Sequence, residues 1–145
     1  MKKLYIYIIG VMLLMVGCDV ESSDNGNLDG FWQMTTKTDK YAKCGAVDMR
    51  DSGLTWSFQG KLLELRDVND RQKDIVLSFD HAGNTLRVYN PYIVERDSDD
   101  IKISDPMMLL PYGVFNTDEK YDVVELKSDK MVLESERFLL KFRKY

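Results

Sequence analysis

The chain has 145 residues, 44% of them hydrophobic and 30% charged, with a net charge of −4. That is the length of one domain, large enough to bury roughly two thirds of its unfolded surface without a metal or a disulfide. An acidic balance gives it no reason to seek phosphate backbones, so a nucleic-acid partner is not expected.

Residues 1–17 begin with Met1-Lys2-Lys3, continue as an apolar run over residues 4–16 and end on Gly17. A positive start, an apolar stretch of about a dozen residues and a small residue at its end are the parts of a secretory signal. The run is too short for a permanent membrane-spanning helix. Met15-Val16-Gly17-Cys18 resembles the lipobox of bacterial lipoproteins, with Met15 where that family usually carries Leu. The resemblance implies loss of residues 1–17, acylation of Cys18 and a lipid anchor in the cell envelope. The outer membrane is the expected location. Residues 18–27 carry Asp19, Glu21 and Asp24 and no aromatic, so they are expected to form a flexible tether. An acidic stretch after the cysteine also resembles the surface-export signal of Bacteroidetes lipoproteins. With Cys18 acylated, Cys44 is left alone and reads as a buried or inert thiol.

From residue 28 onward the apolar pattern alternates and turn residues interrupt it often. Strands are expected over residues 30–36, 54–59, 62–67, 74–79, 85–89, 121–126, 131–135 and 137–145. Residues 38–53 read as irregular. Residues 101–103 form a candidate short strand. Asp105-Pro106 reads as the cap and first position of a helical turn that Pro111-Tyr112-Gly113 ends. Eight or nine short strands with almost no helix mean an all-β sandwich or barrel. Local hairpins favour an antiparallel up-and-down meander that closes into an eight-stranded barrel.

Gly30-Phe31-Trp32, at the start of the first strand, resembles the Gly-x-Trp signature of the lipocalins. Together with the supporting stretches Leu110-Pro111-Tyr112-Gly113-Val114, Val124-Glu125-Leu126 and Leu140-Lys141-Phe142-Arg143, residues 28–145 resemble the small lipocalin-like domains of Bacteroidetes lipoproteins. The resemblance implies a barrel closed at one end by Gly30 and Trp32, with a basic residue of the last strand across the Trp. Arg143 is the expected residue, with Arg137 the alternative. The chain is shorter than a typical lipocalin and shows no clear C-terminal helix.

No set of residues demands catalysis. His81 is the single histidine and sits in a turn-like stretch with no nucleophile placed beside it. Asp97, Asp99 and Asp100 lack calcium-loop spacing, so they read as a solvated loop, and neither a metal nor another cofactor is expected. Strand alternation points Trp56, Phe58, Ile75, Leu77, Phe79, Phe138, Leu140 and Phe142 to the barrel interior, with Tyr89 and Tyr112 as polar groups at its mouth. They either line a pocket for a small hydrophobic ligand or fill the barrel themselves. The first case makes the protein an anchored carrier. The second makes it a protein-interaction or inhibitor module that docks an envelope partner through loops or strand edges.

Overall fold

The computed structural model describes residues 24–145, so the leader and Cys18 lie outside the described residues. The strands are β1 (Gly30–Asp39), β2 (Ala46–Asp48), β3 (Leu54–Gln59), β4 (Leu62–Asp67), β5 (Ile75–Ala82), β6 (Thr85–Ile93), β7 (Ile101–Lys102), β8 (Asp118–Leu126), β9 (Lys130–Glu134) and β10 (Phe138–Lys144). Two short 3-10 helices, Gly26–Leu28 and Pro106–Tyr112, complete the described elements. All strand pairs are antiparallel, and the order β1-β3-β4-β5-β6-β8-β9-β10 closes by pairing β10 back onto β1. The result is an eight-stranded up-and-down barrel rather than a sandwich. β2 and β7 are extra strands attached to β1 and β6.

The barrel has two ends. The tether end carries the start of β1, the β3–β4, β5–β6 and β8–β9 turns and the chain's last residues. The far end carries residues 40–53 and the long connection from β6 to β8. The inner wall contains the alternating set read from sequence, joined by Leu63 and Leu65 of β4. Trp56, Phe58, Leu63, Leu65, Ile75, Leu77, Leu140 and Phe142 are all fully buried. Each such side chain contributes about 1.5–3 kcal/mol by leaving water.

Several boundaries differ from the sequence reading. β1 runs on to Asp39 through a bulge between Met34 and Thr36. β2 lies within the stretch expected to be irregular. β6 continues past Pro91 because a bulge opposite Leu77, with Asn90 in the left-handed region, absorbs the missing N–H. The last residues of the expected tether are folded. Asn25 donates through Nδ2 to the Gly60 carbonyl and the Asp29 carboxylate, both at 2.7 Å. Cys44 is exposed and free, which removes the buried alternative and leaves the inert-thiol one.

The connection at the far end behaves as its residues dictate. The Asp105 side chain accepts from the Met107 N–H and Pro106 takes the first position of the 3-10 helix. Gly113 ends it in the left-handed conformation at φ 78°, where its N–H returns to the Leu109 and Leu110 carbonyls. A Cβ at Gly113 would stand 2.5 Å from Leu140 Cδ2, inside the core. The Gly113→Ala protein therefore loses about 1–3 kcal/mol, read as a lower urea midpoint with an unchanged slope.

Candidate functional site

The barrel interior is the first place to look for a site, and it is full. The Trp56 ring packs on Phe142 at 5.0 Å, Tyr121 at 5.7 Å and Phe58 at 6.1 Å, and Phe58 meets Phe79 edge-on at 5.1 Å. Trp32, Trp56, Leu63, Leu65, Leu77, Leu133 and Leu140 have 0% of their surface accessible. A void able to hold a water molecule would give its walls accessible surface, and these have none.

Part of the filling comes from the segment that crosses the far end. Leu109, Tyr112 and Val114 descend from the 3-10 helix into the barrel and are completely buried. Their backbone is tied down by side chains of the wall. Trp56 Nε1 donates to the Tyr112 carbonyl at 3.1 Å, and the Tyr121 hydroxyl donates to the Gly113 carbonyl at 2.7 Å. Burial pushes both the Tyr112 and the Tyr121 hydroxyl well above the usual phenol range, so they stay neutral. Lys37 Nζ donates to the carbonyls of Leu110 and Pro111 at 3.3 and 3.1 Å. Its burial lowers the ammonium's pKa, with Asp39 opposing and Arg137 reinforcing the shift.

Each end is closed by a cation on the β1–β10 seam. At the tether end, Trp32 stands opposite Lys144 in register. Lys144 Nζ lies 4.9 Å from the Trp32 ring centroid and donates to the Asn27 carbonyl at 2.9 Å. Trp32 Nε1 donates to the Leu28 carbonyl at 2.8 Å. Gly30 has φ 113°, and a Cβ there would meet the Lys144 stem at 3.2 Å. At the far end, Arg137 binds the Asp39 carboxylate through Nε and Nη2, and its guanidinium lies against Phe115, Phe138 and Tyr41 at 4.7, 5.2 and 5.6 Å. Hydrogen bonding from Arg137 holds the Asp39 carboxyl below the usual carboxylate range, against a desolvation that would raise it.

Three expectations need correction. Arg143 does not lie across Trp32. It faces Gln33 on the outer surface, because register puts Lys144 opposite the Trp and Arg143 one residue out of phase. Arg137 is at the other end of the barrel, on Asp39. Tyr89 and Tyr112 do not form a polar mouth. Tyr89 alternates with the inward Val88, so it faces outward beside Arg87, 4.3 Å from its guanidinium carbon. Tyr112 does sit at the far end, where its hydroxyl donates to the Lys73 carbonyl at 3.4 Å, but it is buried and lines no opening. The eight apolar candidates, Trp56, Phe58, Ile75, Leu77, Phe79, Phe138, Leu140 and Phe142, are brought together in the barrel, where they pack on one another.

The outer surface carries groups that the sequence reading missed. An open cleft of about 530 Å³ on the β1 side of the seam is lined by Thr35, Thr36, Ala46, Asp48, Arg50 and Arg143. Its residues come from β1, β10, the unexpected β2 and the turn that follows β2, so no contiguous motif announced it. Among the described residues no group of His, Cys, Asp and Glu is placed to hold a metal ion.

The lipocalin-like domain family matches residues 12–145 of the chain. Two solved structures are similar to it. One is described as a lipocalin-like protein from Bacteroides uniformis ATCC 8492, with 16% identity, a TM-score of 0.59, and coverage of 83% of this chain and 100% of that one. The other is described as an uncharacterized protein from Bacteroides eggerthii DSM 20697, with 15% identity, a TM-score of 0.52, and coverage of 81% and 99%. At these identities the likeness is one of fold. No curated protein matches the sequence.

Two outcomes follow from the ends of the seam. Lys144→Ala lowers stability by about 0.5–2 kcal/mol, the range for a cation on an indole face, whereas Lys141→Gln, an exposed residue of the same strand, stays within about 0.5 kcal/mol of wild type in the same urea titration. The Asp39 pair makes its contribution above the ordinary carboxylate pKa of about 4 and loses it as the pH falls through the depressed folded value. The urea-midpoint gap between wild type and Asp39→Asn is therefore open at about pH 7 and closed by about pH 2.

Proposed function

The chain belongs to the lipocalin-like domain family, and from that premise we propose that it is a non-catalytic binding module, lipid-anchored at Cys18 in the bacterial cell envelope, which recognises its partners with its outside. The observation that carries this reading is the packed interior. A ligand inside the barrel would have to displace Leu109, Tyr112 and Val114 together with the hydrogen bonds that Trp56, Tyr121 and Lys37 give the crossing segment. The barrel is thus a scaffold with a rigid outer surface. The anchored location rests on the signal pattern of residues 1–17 and the lipobox-like Met15-Val16-Gly17-Cys18. Acyl chains at one terminus hold a domain at a membrane without inserting it. The lipocalin-like family is generally non-catalytic.

Intact mass spectrometry of the full-length product purified from envelopes tests both parts. The expected mass is that of a chain beginning at Cys18 plus covalent acyl groups. Gentle organic extraction leaves the native mass unchanged, and added fatty acid leaves it unchanged too. An extractable small molecule would return the carrier function to the barrel, and an unacylated chain would remove the anchor.

A further inference from the structure

The cleft on the outer face of the seam has the features of a prepared anion site. Arg50, Arg66, Arg71, Arg87 and Arg137 each face a carboxylate within ion-pair distance. Arg143, like Arg96 in the β6–β7 connection, has no such partner among the described residues, but Arg143 alone of the two is held by a buried side chain. Its Nε donates to Gln33 Oε1 at 2.6 Å, and Gln33 Nε2 donates to the Arg50 carbonyl at 2.8 Å. Gln33 is only 7% exposed, so both ends of a buried amide are used to aim one guanidinium and to tie down the wall opposite. With Nε occupied, the two Nη groups of Arg143 remain as an end-on fork, the geometry that matches a carboxylate.

The rest of the lining narrows the ligand. The bulge between Met34 and Thr36 sets Thr35 and Thr36 side by side in the cleft. The Thr35 hydroxyl donates to the Lys141 carbonyl at 3.1 Å and is left as an acceptor, while the Thr36 hydroxyl has no partner among the described residues. Asp48 accepts from Arg50 Nε and stays ionised, its pKa lowered to about 2 by hydrogen bonding from Arg50. Both Asp48 oxygens are bonded to Arg50, so that pair is neutral, and Arg143 supplies the one net positive charge of the lining, which suits a monoanion. Asp48 has its remaining lone pairs for hydroxyl groups. The sole apolar side chain of the lining is Ala46, so a hydrophobic ligand gains little there.

We infer that this cleft binds a hydroxylated carboxylate of the sugar-acid type, with its carboxylate on the Arg143 fork and its hydroxyls on Asp48, Thr35 and Thr36. The site deepens the reading of the barrel as a scaffold that binds with its outside, and it names the surface. Gln33 acts through Arg143 and is a positioning residue.

Saturation-transfer NMR and isothermal titration on the full chain, with glucuronate, glucose and inorganic phosphate as probes, test the site. Glucuronate is expected to bind and to weaken with added salt, while glucose does not bind. Arg143→Gln weakens glucuronate by about tenfold or more. Arg143→Lys, which keeps the charge but loses the fork, falls between the two. Arg66→Gln, a basic residue outside the cleft, leaves binding unchanged. Thermal melts of each variant separate lost binding from lost fold. Equal affinity in a well-folded Arg143→Gln protein would overturn the assignment. So would phosphate binding as tightly as glucuronate, or no saturation transfer to glucuronate. An extractable ligand in the barrel would instead sink the scaffold reading while leaving the Arg143 dependence standing, so the two can fail separately.

Discussion

The β1–β10 seam is the contact on which the rest of this structure depends. Every other pairing in the barrel joins strands that are near neighbours in sequence, whereas Trp32 meets Lys144 and Asp39 meets Phe138 across almost the whole domain. Until that pairing forms, the meander is an open sheet with two long edges and an exposed aromatic face. Once it forms, the edges disappear and both ends acquire their closing cation. Lys144 over Trp32 and Arg137 on Asp39 link the same two strands at opposite ends. Closing so long a loop costs entropy that only the completed core repays.

Closure also decides what the interior is. An eight-stranded ring has room for side chains or for one small ligand, and its diameter alone does not choose between them. Here the choice falls to the connection between β6 and β8. Asp105, Pro106 and Gly113 give it a short, defined shape, and that shape sends Leu109, Tyr112 and Val114 inward. The polar cost of burying this backbone is met by wall side chains placed to serve it. The two indoles make the same kind of bond at opposite ends: Trp32 reaches the Leu28 carbonyl and Trp56 the Tyr112 carbonyl. The surface is then the part of the molecule free to meet a partner.

Much of this was legible in the chain. Trp56, Phe58, Ile75, Leu77, Phe79, Leu140 and Phe142 recur at every second position over short runs, mostly with polar residues between them, and alternation is local, so the inner wall could be named without the fold. The 3-10 helix could be read too, because a capping Asp, a Pro at the first position and a left-handed Gly act on their own backbone. The failures share one cause. Arg143 and Lys144 are adjacent, and which of them covers Trp32 depends on a register set across the seam. The bulge at Thr35 shifts the phase of β1, which brings Lys37 rather than Thr36 to the inner face.

The sequence by itself determined the all-β meander, the composition of the inner wall and the likeness to lipocalins, because each rests on interactions within a hairpin or a turn. The closed eight-stranded barrel was expected too, but only the tertiary structure decided which residues meet across its seam, that Lys144 caps Trp32, that the β6–β8 connection fills the barrel and that Gln33, Arg50, Asp48 and Arg143 share a cleft. Those features join residues brought together by the seam. Period and propensity describe how a segment meets its neighbours along the chain. They carry no information about a partner strand more than a hundred residues away, where a slip of one residue exchanges the inside of the barrel for its outside.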